Sequence, residues 1–347
     1  MTPDVPSAAR LDGRDWLIER VWPASGSDPR LSLEAHCDDV VRGGRVDAEG
    51  TVTLLEPDED PALPALGAVA GQGRLIAHRP GRRAVVQIHD GRSYAKIVPS
   101  GKAPRVAEAH GRGRSFVSGF RLPSIVPHQF DSASVVCFSA LRGRSFSALG
   151  ADPRLTDTEW AAAWEAWSAG WSASVRTADS DGLPIHGVAE EKAVLRMWAA
   201  RASPLFGERT PDVVDRVAAR LDAAGPPSAL SHRDLHDGQL LWDPDQGVGL
   251  IDLDTCSRAD PGLDLGNLAA HIDFAVTQGR WPGERASIAL ESVLHTSNAL
   301  GVEPHRLAAW RIAARLRVAC VNVLRPRWRI AARAERASIE EEISRDA

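Results

Sequence analysis

Residues Ser231 to Asn267 read SHRDLHDGQLLWDPDQGVGLIDLDTCSRADPGLDLGN. A His-x-Asp (His232, Asp234) is followed five residues after its Asp by Gln239, and a short apolar run later ends in Ile251-Asp252. Phosphoryl transfer needs a carboxylate to orient the attacking hydroxyl and oxygen ligands to hold Mg²⁺ on nucleotide phosphates. Asp234, Gln239 and Asp252 could supply those oxygens if the chain between them folds back on itself.

It has the chemistry to do so. Leu240 to Trp242 is apolar, Asp243-Pro244-Asp245-Gln246-Gly247 is turn-forming, and Val248 to Leu253 is apolar again. That pattern predicts a β-hairpin with a five-residue connection. Antiparallel pairing then sets Trp242 opposite Val248 and Leu241 opposite Gly249, which brings Gln239 beside Ile251 and next to Asp252. Asp234 falls in the loop just before the first strand.

With its continuation SRADPGLDLGN, this segment resembles the aminoglycoside phosphotransferase and choline kinase group of protein-kinase-like enzymes. His232, Arg233, Asp234 and Gln239 look like that family's catalytic loop, and Ile251-Asp252-Leu253 resembles its metal-binding element. The resemblance implies that Asp234 is the catalytic base or hydroxyl-positioning residue and that Gln239 and Asp252 hold Mg²⁺. It also implies that Asp264 buttresses the loop that His232 opens. Most members carry Asn where Gln239 stands, whereas maltokinase-like and glucosamine-kinase-like members also carry Gln. Arg233 replaces a small residue and looks more like the His-Arg-Asp of protein kinases. His236 and Asp237 read as loop-packing or solvated residues. Asp254 is either a second metal ligand or exposed.

Upstream, Leu75 to His78, Arg83 to His89 and Ser93 to Val98 are three strand-like runs, separated by Arg79-Pro80-Gly81-Arg82 and Asp90-Gly91. Tyr94, Lys96 and Val98 share a face of the third. A lysine among apolar neighbours mid-strand calls for an anionic partner. Between Lys96 and Asp131 the only acidic residue is Glu108, within a helix-like Ala103 to His110. Lys96 and Glu108 therefore fit the kinase pair that orients nucleotide phosphates. The rival Lys102 lies in a Ser-Gly-Lys turn. No Gly-x-Gly-x-x-Gly precedes Lys96, which disfavours a typical protein kinase. By position, residues 79–82 are the loop over the nucleotide. By chain order, Ser139, Ala140 and Leu141 are the hinge that binds adenine.

After the hinge the periodicity turns helical. Thr156 or Asp157 can cap a helix that carries Trp160, Trp164, Trp167 and Trp171 at three- and four-residue spacing, a core stripe. Further helices are predicted over 189–202, 211–224, 265–278, 283–300, 304–324 and 328–343. Residues 1–70 read as a β-rich extension of unassigned role, with strand-like runs on either side of Gly43-Gly44 and a loop or linker from Pro57 to Pro64.

The 347 residues suffice for two lobes, and the formal net charge of −5 gives no global attraction to nucleic acid or membrane. No apolar stretch reaches bilayer length, and the first residues lack the apolar core of a signal peptide. The four cysteines are scattered, which fits reduced thiols in a cytoplasm. The expectation is an α+β, bilobal protein-kinase-like fold: extension 1–70, nucleotide-binding N-lobe 71–141, and helical C-lobe 142–347 with the catalytic hairpin at 231–255. The implied activity is transfer of the γ-phosphoryl of ATP, with Mg²⁺, to a hydroxyl of a small molecule, with a sugar or aminosugar favoured and an aminoglycoside possible. The alternative is a kinase-like module that binds nucleotide or a protein without efficient catalysis.

Overall fold

In the computed structural model, which describes residues 5–23, 30–207 and 210–345, the chain divides into two compact units. The first comprises residues 1–108, 123–140 and 322–329, and the second the remainder.

The first unit holds two antiparallel sheets. Strands β1 (Ala8–Leu11), β2 (Arg14–Trp22), β3 (Leu31–Cys37), β4 (Val40–Val46) and β5 (Val52–Leu54) pair in sequence order. Short helix α1 (Leu66–Ala70) leads into β6 (Gly73–Arg79), β7 (Arg83–Ile88) and β8 (Ser93–Ile97). After helix α2 (Ala103–Arg112) come β9 (Ile125–Val126) and β10 (Val135–Ser139), giving a second sheet of order β6-β7-β8-β10-β9. Two-residue alternation places Ala84, Val86, Ile88, Ala95, Ile97, Val135 and Cys137 in one core with Leu63, Leu66 and Val69. The opposite face of β8 carries Lys96, paired in register with Val85 and Val136.

One expectation for the extension is corrected. Gly43 and Gly44 do not separate strands but lie within β4. A Cβ on Gly44 would lie 2.7 Å from the Thr53 carbonyl oxygen, and one on Gly43 would lie 2.6 Å from the His78 ring. The glycines mark close approach of neighbouring chain, not a turn. The stretch Pro57 to Pro64 has neither helix nor strand, as expected of a loop, and it is anchored, with Asp60 and Leu63 buried.

The second unit is mainly helical: α3 (Phe146–Gly150), α4 (Asp157–Thr177), α5 (Val188–Phe206), α6 (Thr210–Arg220), α7 (Gly262–Thr277), α8 (Gly283–Ala299), α9 (Pro304–Asn322) and α10 (Arg329–Arg345). Its short strands are β11 (Arg144–Ser145), β12 (Ala229–Ser231), β13 (Leu240–Asp243), β14 (Gly247–Leu250) and β15 (Ser257–Ala259). β11, β13 and β14 form one sheet, and β12 pairs with β15. Thr156 and Glu159 close a capping box at the start of α4. The four tryptophans of that helix are 0–1% exposed and stack in series with Phe116 and Phe146. The indole N–H of Trp160 donates to the Arg285 carbonyl at 2.9 Å, so this Trp is satisfied in the core.

Candidate active site

The hairpin β13–β14 has the predicted register, with Trp242 opposite Val248 and Leu241 opposite Gly249, but its connection is residues 244–246 rather than the expected five, because Asp243 itself pairs with Gly247. One step further along, the Ile251 N–H donates to the Gln239 carbonyl at 3.1 Å. Gln239 is thereby held beside the residue that precedes Asp252. Gln239 is buried and Asp252 half-buried. An amide oxygen and a carboxylate oxygen are hard donors of the kind Mg²⁺ selects, so the residues present fit that ion.

The loop bearing Asp234 is fastened from below. Asp264, at the start of α7, accepts the His232 N–H on Oδ2 at 2.8 Å and the Arg233 N–H on Oδ1 at 2.7 Å. The Thr255 hydroxyl donates to the His232 carbonyl at 2.7 Å. His232 Nε2 donates to the Ile251 carbonyl at 2.9 Å, while its Nδ1 accepts the Asp234 N–H at 3.3 Å. Together these two bonds fix the tautomer. One buried imidazole thus ties the Asp234 loop to the strand end that presents Asp252. Burial pushes the Asp264 carboxyl up from its ordinary value, against the pull of His232 and the amides it accepts.

Two residues here adopt left-handed backbone conformations that only glycine visits freely. Arg233 has φ 69° and Asp252 φ 60°. Each immediately adjoins or is a candidate site residue, and such strain concentrates where a side chain must be aimed. Aspartate tolerates this conformation better than most residues, but nothing in the type of Arg233 signals it.

His236 has a larger place than loop packing. Burial lowers its pKa, but the carboxylates of Asp237, Asp234 and Asp252 outweigh that and raise it above the ordinary value. It therefore lies in the field of both carboxylates of the candidate site. Its ring stacks on His271 of α7, with centroids 4.8 Å apart. Asp237 is buried, with Arg280 at 3.4 Å from its carboxylate. Burial pushes the Asp237 carboxyl up, but His236 and Arg280 hold it below the usual range. The arginine thus balances the charge of Asp237.

A second buried chain reaches the loop from the helices. His186 bonds Glu191 of α5 at 2.8 Å, Glu191 pairs with Arg317 of α9 at 3.4 Å, and Arg317 donates to Asn267 of α7 at 2.5 Å. Asn267 Nδ2 then donates to the Leu235 carbonyl at 2.8 Å, adjacent to Asp234. Sequence reading missed these residues. An Asn set among Leu265, Gly266, Leu268 and Ala269 is the signal that could have pointed to Asn267.

The remaining candidates lie in the first unit, except Leu141. Lys96 is 9% exposed on β8, and Glu108 lies on α2. The small apolar group of Val98, Ala103 and Val136 joins that face of the sheet to α2. At the predicted hinge, the Ser139 N–H donates to the Ser124 carbonyl and the Ala140 N–H to the Arg92 carbonyl. Neither amide is free for a base.

The profile of the phosphotransferase enzyme family matches residues 82–292, and the chain belongs to that family. No curated protein sequence matches it. Among solved structures it is similar to aminoglycoside phosphotransferase APH(3'')-Id of Streptomyces rimosus, at 22% identity and TM-score 0.53, over 74% of this chain and 96% of that one. It is also similar to aminoglycoside phosphotransferase APH(4)-Ia, at 14% identity and TM-score 0.56, over 80% and 94%. A choline/ethanolamine kinase family protein of Mesorhizobium loti matches at 15% identity and TM-score 0.52, over 82% and 94%. The protein is a small-molecule kinase of α+β, protein-kinase-like fold. Among the described residues, no helix is long and apolar enough to cross a membrane.

Proposed function

We propose that the protein transfers the γ-phosphoryl group of Mg-ATP to a hydroxyl of a sugar or aminosugar. The observation that carries this reading is the tether of the Asp234 loop to the hairpin bearing Gln239 and Asp252, through His232 and Asp264. Asp234 aligns the acceptor hydroxyl and takes its proton as the oxygen attacks the γ-phosphorus. Gln239 and Asp252 would hold Mg²⁺, which when bound would supply charge neutralisation to the phosphate oxygens. Lys96 engages the nucleotide phosphates with Glu108 orienting it, and the Leu141 N–H meets the base. Catalysis on this scheme is positioning and charge neutralisation, with no covalent enzyme intermediate.

Two similar structures support the nucleotide and acceptor classes. One Streptomyces phosphotransferase structure holds ADP and streptomycin, and one APH(4)-Ia structure holds AMP-PNP and hygromycin B. The choice of sugar or aminosugar rests on Gln239, the residue shared with maltokinase-like members. A screen of sugars, aminosugars, aminoglycosides and amino alcohols, read by coupled ADP release, tests it. Saturable release with a sugar or aminosugar is expected. Saturable release with an amino alcohol alone would refute the acceptor class, and Mg-ATP binding without transfer to any acceptor or to water would refute the kinase.

A further inference from the structure

Strand β6 is an edge of its sheet, and the turn that follows it, residues 79–82, is the nucleotide loop of the reading above. An edge strand presents unpaired backbone N–H groups. Here two of those on β6 and its turn end on buried carboxylates from the N-terminal extension. The His78 N–H donates to Glu34 Oε2 at 2.7 Å, and the Gly81 N–H donates to Asp60 Oδ2 at 2.7 Å. The same Asp60 oxygen accepts His78 Nε2–H at 3.0 Å, while His78 Nδ1 accepts the Gly43 N–H of β4 at 3.1 Å. The side chains of Asp60 and His78 are each 3% exposed. At the mouth of the turn, the Arg79 guanidinium lies over the Trp22 ring of β2 at 5.3 Å.

Burial raises the Asp60 carboxyl, but the bonds from His78, Gly81 and Ala62 more than offset it and hold it below the usual value. Asp60 is thus charged where it grips the turn. Gly81 has φ +72°, a conformation in which its amide turns inward to Asp60 and side chains are disfavoured. An edge needs only to be covered; one charged acceptor on an amide of β6 and a second on an amide inside the turn also fix the turn's conformation.

We propose that the extension is a clamp on the nucleotide loop, and that Asp60 is the residue that positions the loop for Mg-ATP. This rests on the kinase reading and assigns a part in it to the otherwise unexplained first 70 residues. Asp60 touches neither substrate nor metal. Its work is to preorganise the loop, so its loss should weaken nucleotide binding more than turnover.

The test is calorimetric titration of Mg-ATP into full-length wild type, Asp60→Asn and Asp60→Ala, with hydrogen exchange at the Gly81 amide. The alanine variant should bind about tenfold more weakly at unchanged stoichiometry, because a charged buried acceptor is lost. Asparagine keeps one acceptor oxygen and should recover part of that loss. Gly81 should lose exchange protection in the alanine variant, and the maximal rate at saturating ATP should hold. Should Asp60→Ala fail to fold, Asp60→Asn and Glu34→Gln carry the same readouts, and a weakened Mg-ATP affinity in either supports the clamp. A lower stoichiometry with unchanged affinity would mean that Asp60 serves folding alone, and would overturn the proposal. Unchanged protection at Gly81 would overturn it too. A wild-type protein that does not bind Mg-ATP would overturn the kinase reading first, before any substitution is made.

Discussion

Asp234 and Asp252 are both carboxylates near His236, yet the proposed mechanism gives them separable tasks. Asp234 acts on the acceptor proton, so Asp234→Ala should lower turnover by about 10²–10⁴-fold and leave Mg-ATP affinity nearly unchanged. Asp252 acts on the ion, so Asp252→Asn should abolish the Mg²⁺ dependence of nucleotide affinity together with turnover. Titrating both variants with ATP, with and without Mg²⁺, separates the roles; equal loss of nucleotide affinity in the two would refute the division. The positions of these residues were legible because turn chemistry sets hairpin register. Asp243 to Gly247 places Gln239 beside Ile251 whatever else the chain does. What sequence did not disclose is how each is aimed. The left-handed backbones of Arg233 and Asp252, and the approach of the Asp252 carboxylate to His236, are set by the fold and not by the local residue types.

Elements hold the site through close approach, and this decides the sign of two substitutions. Gly170 lies inside α4, where alanine is normally preferred by about 1 kcal/mol. Here a Cβ would lie 2.5 Å from the Gly119 carbonyl oxygen, a backbone atom that cannot step aside cheaply. Gly170→Ala should therefore destabilise, by about 1–3 kcal/mol. A raised melting temperature would show that the segment around Gly119 can move. Asn267 links α7 to the Asp234 loop. Asn267→Asp keeps the shape and adds a charge for Arg317, but it sets an oxygen where Nδ2–H met the Leu235 carbonyl. Turnover should fall about tenfold or more through misplacement of the adjacent Asp234, despite the better ion pair. An unchanged kcat would remove Asn267 from the positioning network. The helices themselves were readable, since the Trp160–Trp171 stripe and the Thr156 cap dictate α4 locally. The run of β4 through Gly43 and Gly44 was not, because those glycines answer to Thr53 and His78 rather than to their own neighbours.

Across the whole molecule, each unit has its own core and its own buried carboxylates, and acid should act on both. In the first unit, burial raises the Glu34 carboxyl, but His36, Arg20 and the His78 amide hold it below the ordinary value; Asp60 behaves alike through His78 and Gly81. In the second, burial raises Glu191, and His186 with Arg317 lowers it further than burial lifts it. A carboxyl whose folded pKa is depressed binds fewer protons folded than unfolded. Its stabilisation is complete above the unfolded values, about 4.3 for Glu and 3.9 for Asp, and is lost as pH falls through the lower folded values. The stabilisation that these carboxylates supply should thus be flat through the neutral range and decline from about pH 5 downward. Replacing Asp60 by Asn removes the titrating group from the first unit, and replacing Glu191 by Gln does so in the second. Each should lower stability at neutral pH and flatten the acid decline of its own unit, so melting each variant across pH 3–7, followed by hydrogen exchange resolved along the chain, assigns the decline to a unit. An acid limb unchanged in both variants would mean that other carboxylates carry it, and that these buried groups are paired no better in the folded chain than in water.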